Sequence, residues 1–145
     1  MAASVPPRMS APLRFAVKAI AAFLWFTGCG WLIAHFLLQQ QNEFGIGRSP
    51  WESPLLHVHG IVAVAGAFLL GWIASRHIVE GWRQRRNRVS GLVLASVAAI
   101  LVISGYALYY VSNDASHLVI ASAHELLGGF GVVFALIHWR YRSAP

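Results

Sequence analysis

Four long apolar stretches separated by short polar segments set the pattern of this chain, running from about Leu13 to Leu38, Leu55 to Val79, Val89 to Val111 and His117 to Trp139. A helix needs roughly 20 mostly apolar residues to cross ~30 Å of hydrocarbon at ~1.5 Å per residue, and each stretch is long enough. Between them lie a loop with turn residues (Gln39 to Pro54), a basic turn (Glu80 to Arg88) and a short polar turn (Ser112 to Ser116). Connections this short join neighbours, so the pattern predicts an all-α membrane protein, an antiparallel four-helix transmembrane bundle over 13–139. Residues 1–12 form a flexible Pro/Ala/Ser-rich N-terminus and 140–145 a tail. The first stretch is too long for a signal-peptide core and lacks a convincing cleavage site, so it reads as a retained anchor.

Composition agrees, with 57% hydrophobic and 11% charged residues. A soluble domain of 145 residues has no interior large enough for that much apolar surface. The net charge of +6 and pI near 10.5 raise nucleic acid as a partner, but the arginines gather where loops meet a membrane surface, which argues against it. Arg8, Arg14, Lys18, Arg76, Arg83, Arg85, Arg86, Arg88, Arg140 and Arg142 all fall at one end of the four spans, and only Arg48 at the other. Lys and Arg are retained on the cytoplasmic side, so both termini and the second-to-third loop are predicted inside. A bacterial inner membrane fits this arrangement. Trp51, Trp82, Trp139 and Tyr141 stand at span ends, where amphipathic rings favour the headgroup region. The single cysteine, Cys29, excludes an internal disulfide and any metal-thiolate motif.

Seven histidines lie in or at the ends of these spans, where ionisable groups are costly and point to function. His124 and His138 are fourteen residues apart, within ~40° on one helix face and ~21 Å apart along the axis. Gly128, Gly131 and Ala135 lie between them, small enough to admit a flat, bulky group or a neighbouring helix. His59 and His77 are eighteen apart, five whole turns, with Ala63, Gly66, Leu70 and Ala74 between. An antiparallel path brings His59 level with His124 and His77 level with His138. Two imidazoles from facing helices can supply both axial ligands of a low-spin haem iron, so two haem b groups are predicted, one toward each membrane face. Five turns is ~27 Å against ~21 Å, so tilt, reach or a kink must absorb ~6 Å; otherwise His57 or His35 replaces His59, or only one haem binds. His57 points about 160° away from His59. Arg76, Arg83 and Arg140 are candidates for neutralising propionates, and equally for headgroup contacts.

His124-Glu125-Leu126-Leu127-Gly128 with His138-Trp139, His59-Gly60 opening the second span, and Ser104-Gly105-Tyr106 in the third carry a resemblance. Over its second to fourth spans the chain resembles the bacterial b-type di-haem membrane cytochromes. These form a broad cytochrome b(561)-like superfamily that includes the membrane subunits of nickel-iron hydrogenase and formate dehydrogenase. The resemblance implies that the fourth helix gives one ligand to each haem, His124 and His138, and the second gives the outer partner, His59. Several relatives take the inner partner from their first helix, where this chain has Arg14, Phe15 and Lys18 but no histidine, so His77 is left to supply it.

The expected function is therefore an electron-transfer component of an oxidoreductase, working between a quinone pool and a partner redox protein or complex subunit. His35, His57, His117, Glu52 and Tyr109, all toward the outer side, are candidates for a quinone site. One alternative is a non-haem protein that binds a transition metal through His35, His57, His59, His117 and His124. Another is a structural accessory subunit in which the histidines only cap and pack.

Overall fold

A computed structural model describes residues 9–43, 45–83 and 88–142. Arg8, Arg85 and Arg86, with most of the N-terminus and the end of the tail, lie outside the described residues, as do the side chains of Arg76, Tyr141 and Arg142. The chain runs through α1 (Ala11–Leu37), β1 (Gln40–Asn42), β2 (Gly45–Gly47) and α2 (Glu52–Ile73). A π-helical turn (Ala74–Ile78) leads into α3 (Val79–Arg83), followed by α4 (Arg88–Ala107) and α5 (Asp114–Arg142). Helices α1, α2, α4 and α5 are each long and apolar enough to cross a membrane.

Their surfaces suit lipid and not water. Among the described residues only Ala34 and Val97 are buried apolar side chains, whereas Phe15, Phe68 and Val89 are more than 70% exposed. An apolar exterior of this extent is stable only where hydrocarbon replaces water.

The helices pack in pairs, α1 with α2 and α4 with α5, and a lighter contact joins α1 to α5. Within the first pair the contacts run in opposite directions: Gly30 meets Leu55, Gly28 meets His59, and Ile20 and Leu24 meet Gly66. In the second pair Gly105 meets His124, Leu101 meets Gly128 and Gly91 meets His138. Glycines recur at these seams because without Cβ atoms the backbones approach closely, and close packing holds helices together where no hydrophobic drive exists. Between the pairs, Trp25 Nε1 donates to the Gly129 carbonyl at 3.4 Å, and Lys18 Nζ lies 4.5 Å from the Trp139 ring centre.

The structure departs from the apolar pattern in three places. The third stretch leaves regular helix at Ala107, because Tyr109 and Tyr110 N–H bond to the carbonyls three residues back and tighten the chain into a turn. The second stretch passes into the π-helical turn at Ala74, and α3 occupies the first part of the predicted basic turn. The predicted loop Gln39 to Pro54 holds a small antiparallel hairpin, in which Gly45 takes a φ of 114° that a residue with a Cβ would resist. That loop also starts α2: Ser49 N–H donates to Glu52 Oε1 at 3.1 Å and Trp51 N–H to Ser49 Oγ at 3.4 Å, satisfying donors at the helix entry.

Ala34, 1% exposed, lies one turn beyond Gly30 on α1. Ala34→Leu is expected to destabilise the fold by about 1–3 kcal/mol through overpacking. Phe68→Leu, at a position 79% exposed, should change little. Thermal unfolding in detergent checks both, and equal effects would contradict the pairing described.

Candidate functional site

Two mid-helix hydroxyls define the site. A serine or threonine inside a helix can bond the carbonyl four residues back, which satisfies the hydroxyl where no water reaches. Thr27 Oγ1 lies 2.9 Å from the Phe23 carbonyl and 3.1 Å from that of Leu24, and Ser104 Oγ lies 2.7 Å from the Ile100 carbonyl. Each hydroxyl has a single proton and spends it on its own helix, so toward any other group it accepts.

Each of these oxygens meets a histidine from the paired helix. His59 Nδ1 is 2.9 Å from Thr27 Oγ1, and His124 Nδ1 is 2.8 Å from Ser104 Oγ. Because the oxygen accepts, Nδ1 carries the proton, and neutral imidazole then keeps its lone pair on Nε2. That is the form in which histidine binds a metal, its other nitrogen held by a second partner.

The next residue after each hydroxyl is a glycine that makes room for the ring. His59 Cε1 is 3.5 Å from where a Cβ on Gly28 would stand, and His124 Cε1 is 3.2 Å from one on Gly105. Hydroxyl and glycine together form a two-residue seat, Thr27-Gly28 for His59 and Ser104-Gly105 for His124. A third seat, Ser90-Gly91, receives His138, with Nδ1 3.0 Å from Ser90 Oγ and Cε1 3.6 Å from the Gly91 position. From His124 to His138 the chain advances fourteen residues along α5, and from Ser104 to Ser90 it retreats fourteen along α4, so one packing register serves both.

His59 and His124 belong to different helix pairs yet come together, with ring centres 6.3 Å apart and planes at 78°. A metal–imidazole bond is about 2.0–2.1 Å and the nitrogen stands about 1.1 Å from its ring centre, so two ligands in line on one ion place their centres about 6.3 Å apart. Nearby, the Tyr109 hydroxyl lies 3.1 Å from the Cβ position of Gly60 and bridges the end of α4 to α2 beside His59. On α5, Gly129 and Gly131 have open space where side chains would project.

The other predicted residues are placed separately. His77 lies half-buried in the π-helical turn, where the chain makes about 4.4 residues per turn, so the five whole turns predicted from His59 are interrupted. His35 pairs with Glu52, Nδ1 to Oε2 at 3.2 Å. His57 is exposed, with Nδ1 3.4 Å from Ser53 Oγ, and His117 is exposed near the start of α5. Among the described residues no three of His, Cys, Asp or Glu gather to hold a metal ion. The hydroxyl-glycine seats were missed as a class in the sequence; only Ser104-Gly105 was singled out. Their signal is a hydroxyl-glycine dipeptide in one span whose spacing matches that of histidines in the next.

Comparison with known proteins finds no matching family model, curated protein or solved structure.

Thr27→Val and Ser104→Ala each remove one acceptor from a half-buried imidazole and should cost about 1 kcal/mol. They should also release the Nδ1–H tautomer at His59 and His124 respectively. Nitrogen-15 NMR of histidine-labelled protein without cofactor reads the tautomer directly, and an unchanged ratio would contradict the assignment.

Proposed function

We propose that this chain is a b-type cytochrome of the membrane that holds haem between His59 and His124 and carries electrons between a quinone pool and a redox partner. The observation that carries this reading is the pair itself: two imidazoles from separate helix pairs, each with Nδ1 held by a hydroxyl, their ring centres 6.3 Å apart. The donor set fits the group. Imidazoles with Nδ1 engaged would offer Nε2 as ligands, and the open space at Gly131, two turns from His124 on the same face of α5, suits a flat macrocycle. Held between His59 and His124, the haem would supply one-electron transfer.

The chain's own residues do the rest. Thr27 and Ser104 orient the ligands, Gly28 and Gly105 admit the rings, and the lipid-covered bundle excludes water. His138 on its Ser90-Gly91 seat, with His77 from the π-helical turn, is assigned to a second, inner haem. His124 and His138 then stand ~21 Å apart along α5. The same reading takes the four helices as one antiparallel bundle in a bacterial inner membrane, with both termini on the cytoplasmic side, because ten of the eleven Lys and Arg residues lie at that end. The metal-site alternative has less behind it, since His35 and His57 are engaged locally.

The reduced-minus-oxidised visible spectrum of the detergent-purified protein tests the proposal. Soret and alpha bands are expected, with two haems per chain by pyridine haemochrome. His124→Ala should delete one and His138→Ala the other, and His59→Ala should match His124→Ala. A spectrum without bands would remove the cytochrome reading.

A further inference from the structure

His35 and Glu52 form a second arranged pair, outward of the histidine site on the seam between α1 and α2. Seven residues separate Gly28 from His35 on α1 and His59 from Glu52 on α2. Seven residues are close to two turns, so the pair lies on the faces that carry the seat and ligand of His59, about 10.5 Å further out. Glu52 is only 8% exposed, with both oxygens engaged: Oε1 accepts the Ser49 N–H at 3.1 Å, and Oε2 lies 3.2 Å from His35 Nδ1. The imidazole is clamped by Trp31, with ring centres 4.7 Å apart and planes within 10°.

A carboxylate on Nδ1 leaves Nε2 as the proton acceptor, the arrangement by which a carboxylate orients a histidine base. His35 Nε2 has no hydrogen bond among the described residues, and the ring is partly exposed. Phe36 stands edge-on to the ring with centres 4.8 Å apart and is itself 62% exposed, so apolar surface flanks the imidazole. A molecule reaching Nε2 from this side travels through the membrane. A base beside an electron acceptor, approached from lipid, suits a donor of both protons and electrons that dissolves in hydrocarbon.

Resting on the cytochrome reading above, we propose that His35 and Glu52 form a hydroquinone-oxidising site. The hydroquinone O–H bond would break, its proton passing to His35 Nε2 and one electron to the oxidised haem that His59 and His124 would hold. His35 releases that proton to outer water. After the redox partner has reoxidised the iron, the second hydroxyl gives its proton and electron by the same route, so each hydroquinone yields one quinone, two protons and two electrons.

The test uses the haem-loaded protein in detergent with duroquinol as donor. His35→Gln, which keeps size and polarity but is no base, should slow haem reduction by duroquinol about 100-fold while dithionite still reduces the haem fully. Glu52→Gln should fall between. Independently of turnover, decyl-ubiquinone should quench the fluorescence of Trp31, seen as the difference from Trp31→Phe protein, and His35→Gln should weaken that binding at least tenfold. Thermal unfolding confirms that the variants are folded. If His35→Gln reduces with duroquinol and binds decyl-ubiquinone as the parent does, the pair only fastens α1 to α2 and the proposal falls. Absence of haem bands in the parent protein overturns the cytochrome reading and this proposal with it, whereas intact bands with unchanged duroquinol kinetics and binding overturn this proposal alone.

Discussion

An imidazole buried in hydrocarbon must have its N–H satisfied, and a helix has few groups to offer, since its carbonyls are already engaged. The chain solves this with hydroxyls that turn their protons back onto their own helix and present only lone pairs. Everything else at the site follows. With the hydroxyl oxygen accepting, the histidine N–H is placed on Nδ1, and the adjacent glycine lets the ring sit close enough for the bond to form. The device appears at Thr27 and Ser104, and Ser90 meets His138 with the same hydroxyl-glycine pair, because each seam is a close helix contact.

Much of this was legible in the sequence. Run length and hydropathy marked the four crossing helices, and spacing singled out His59, His124, His77 and His138. Residues that look like packing escaped notice. Thr27 stands in an apolar run with nothing in its own span to set it apart, and its role appears only when α2 brings His59 against it. His35 and Glu52 lie seventeen residues apart across a loop with its own hairpin, so no periodicity links them. The π-helical turn at Ala74–Ile78 was equally hidden, because one extra residue in a turn leaves composition unchanged. Its effect is physical: fewer degrees per residue shift the angle of every side chain after it, so helical arithmetic from His59 loses its phase before His77.

The two pairs of helices touch each other lightly, mainly through α1 and α5, yet His59 comes from one pair and His124 from the other. The residues that orient each histidine lie within the same pair as that histidine. Each half is thus complete in its own seat, and the site itself is the joint.

That division has a consequence for assembly. Each half carries the contacts that align its own histidine, Thr27-Gly28 for His59 and Ser104-Gly105 for His124. On the proposed function, an ion held by both rings would act as a rivet between the two plates. Its binding free energy would add to the lightest seam between the pairs, linking loading and closure in one equilibrium.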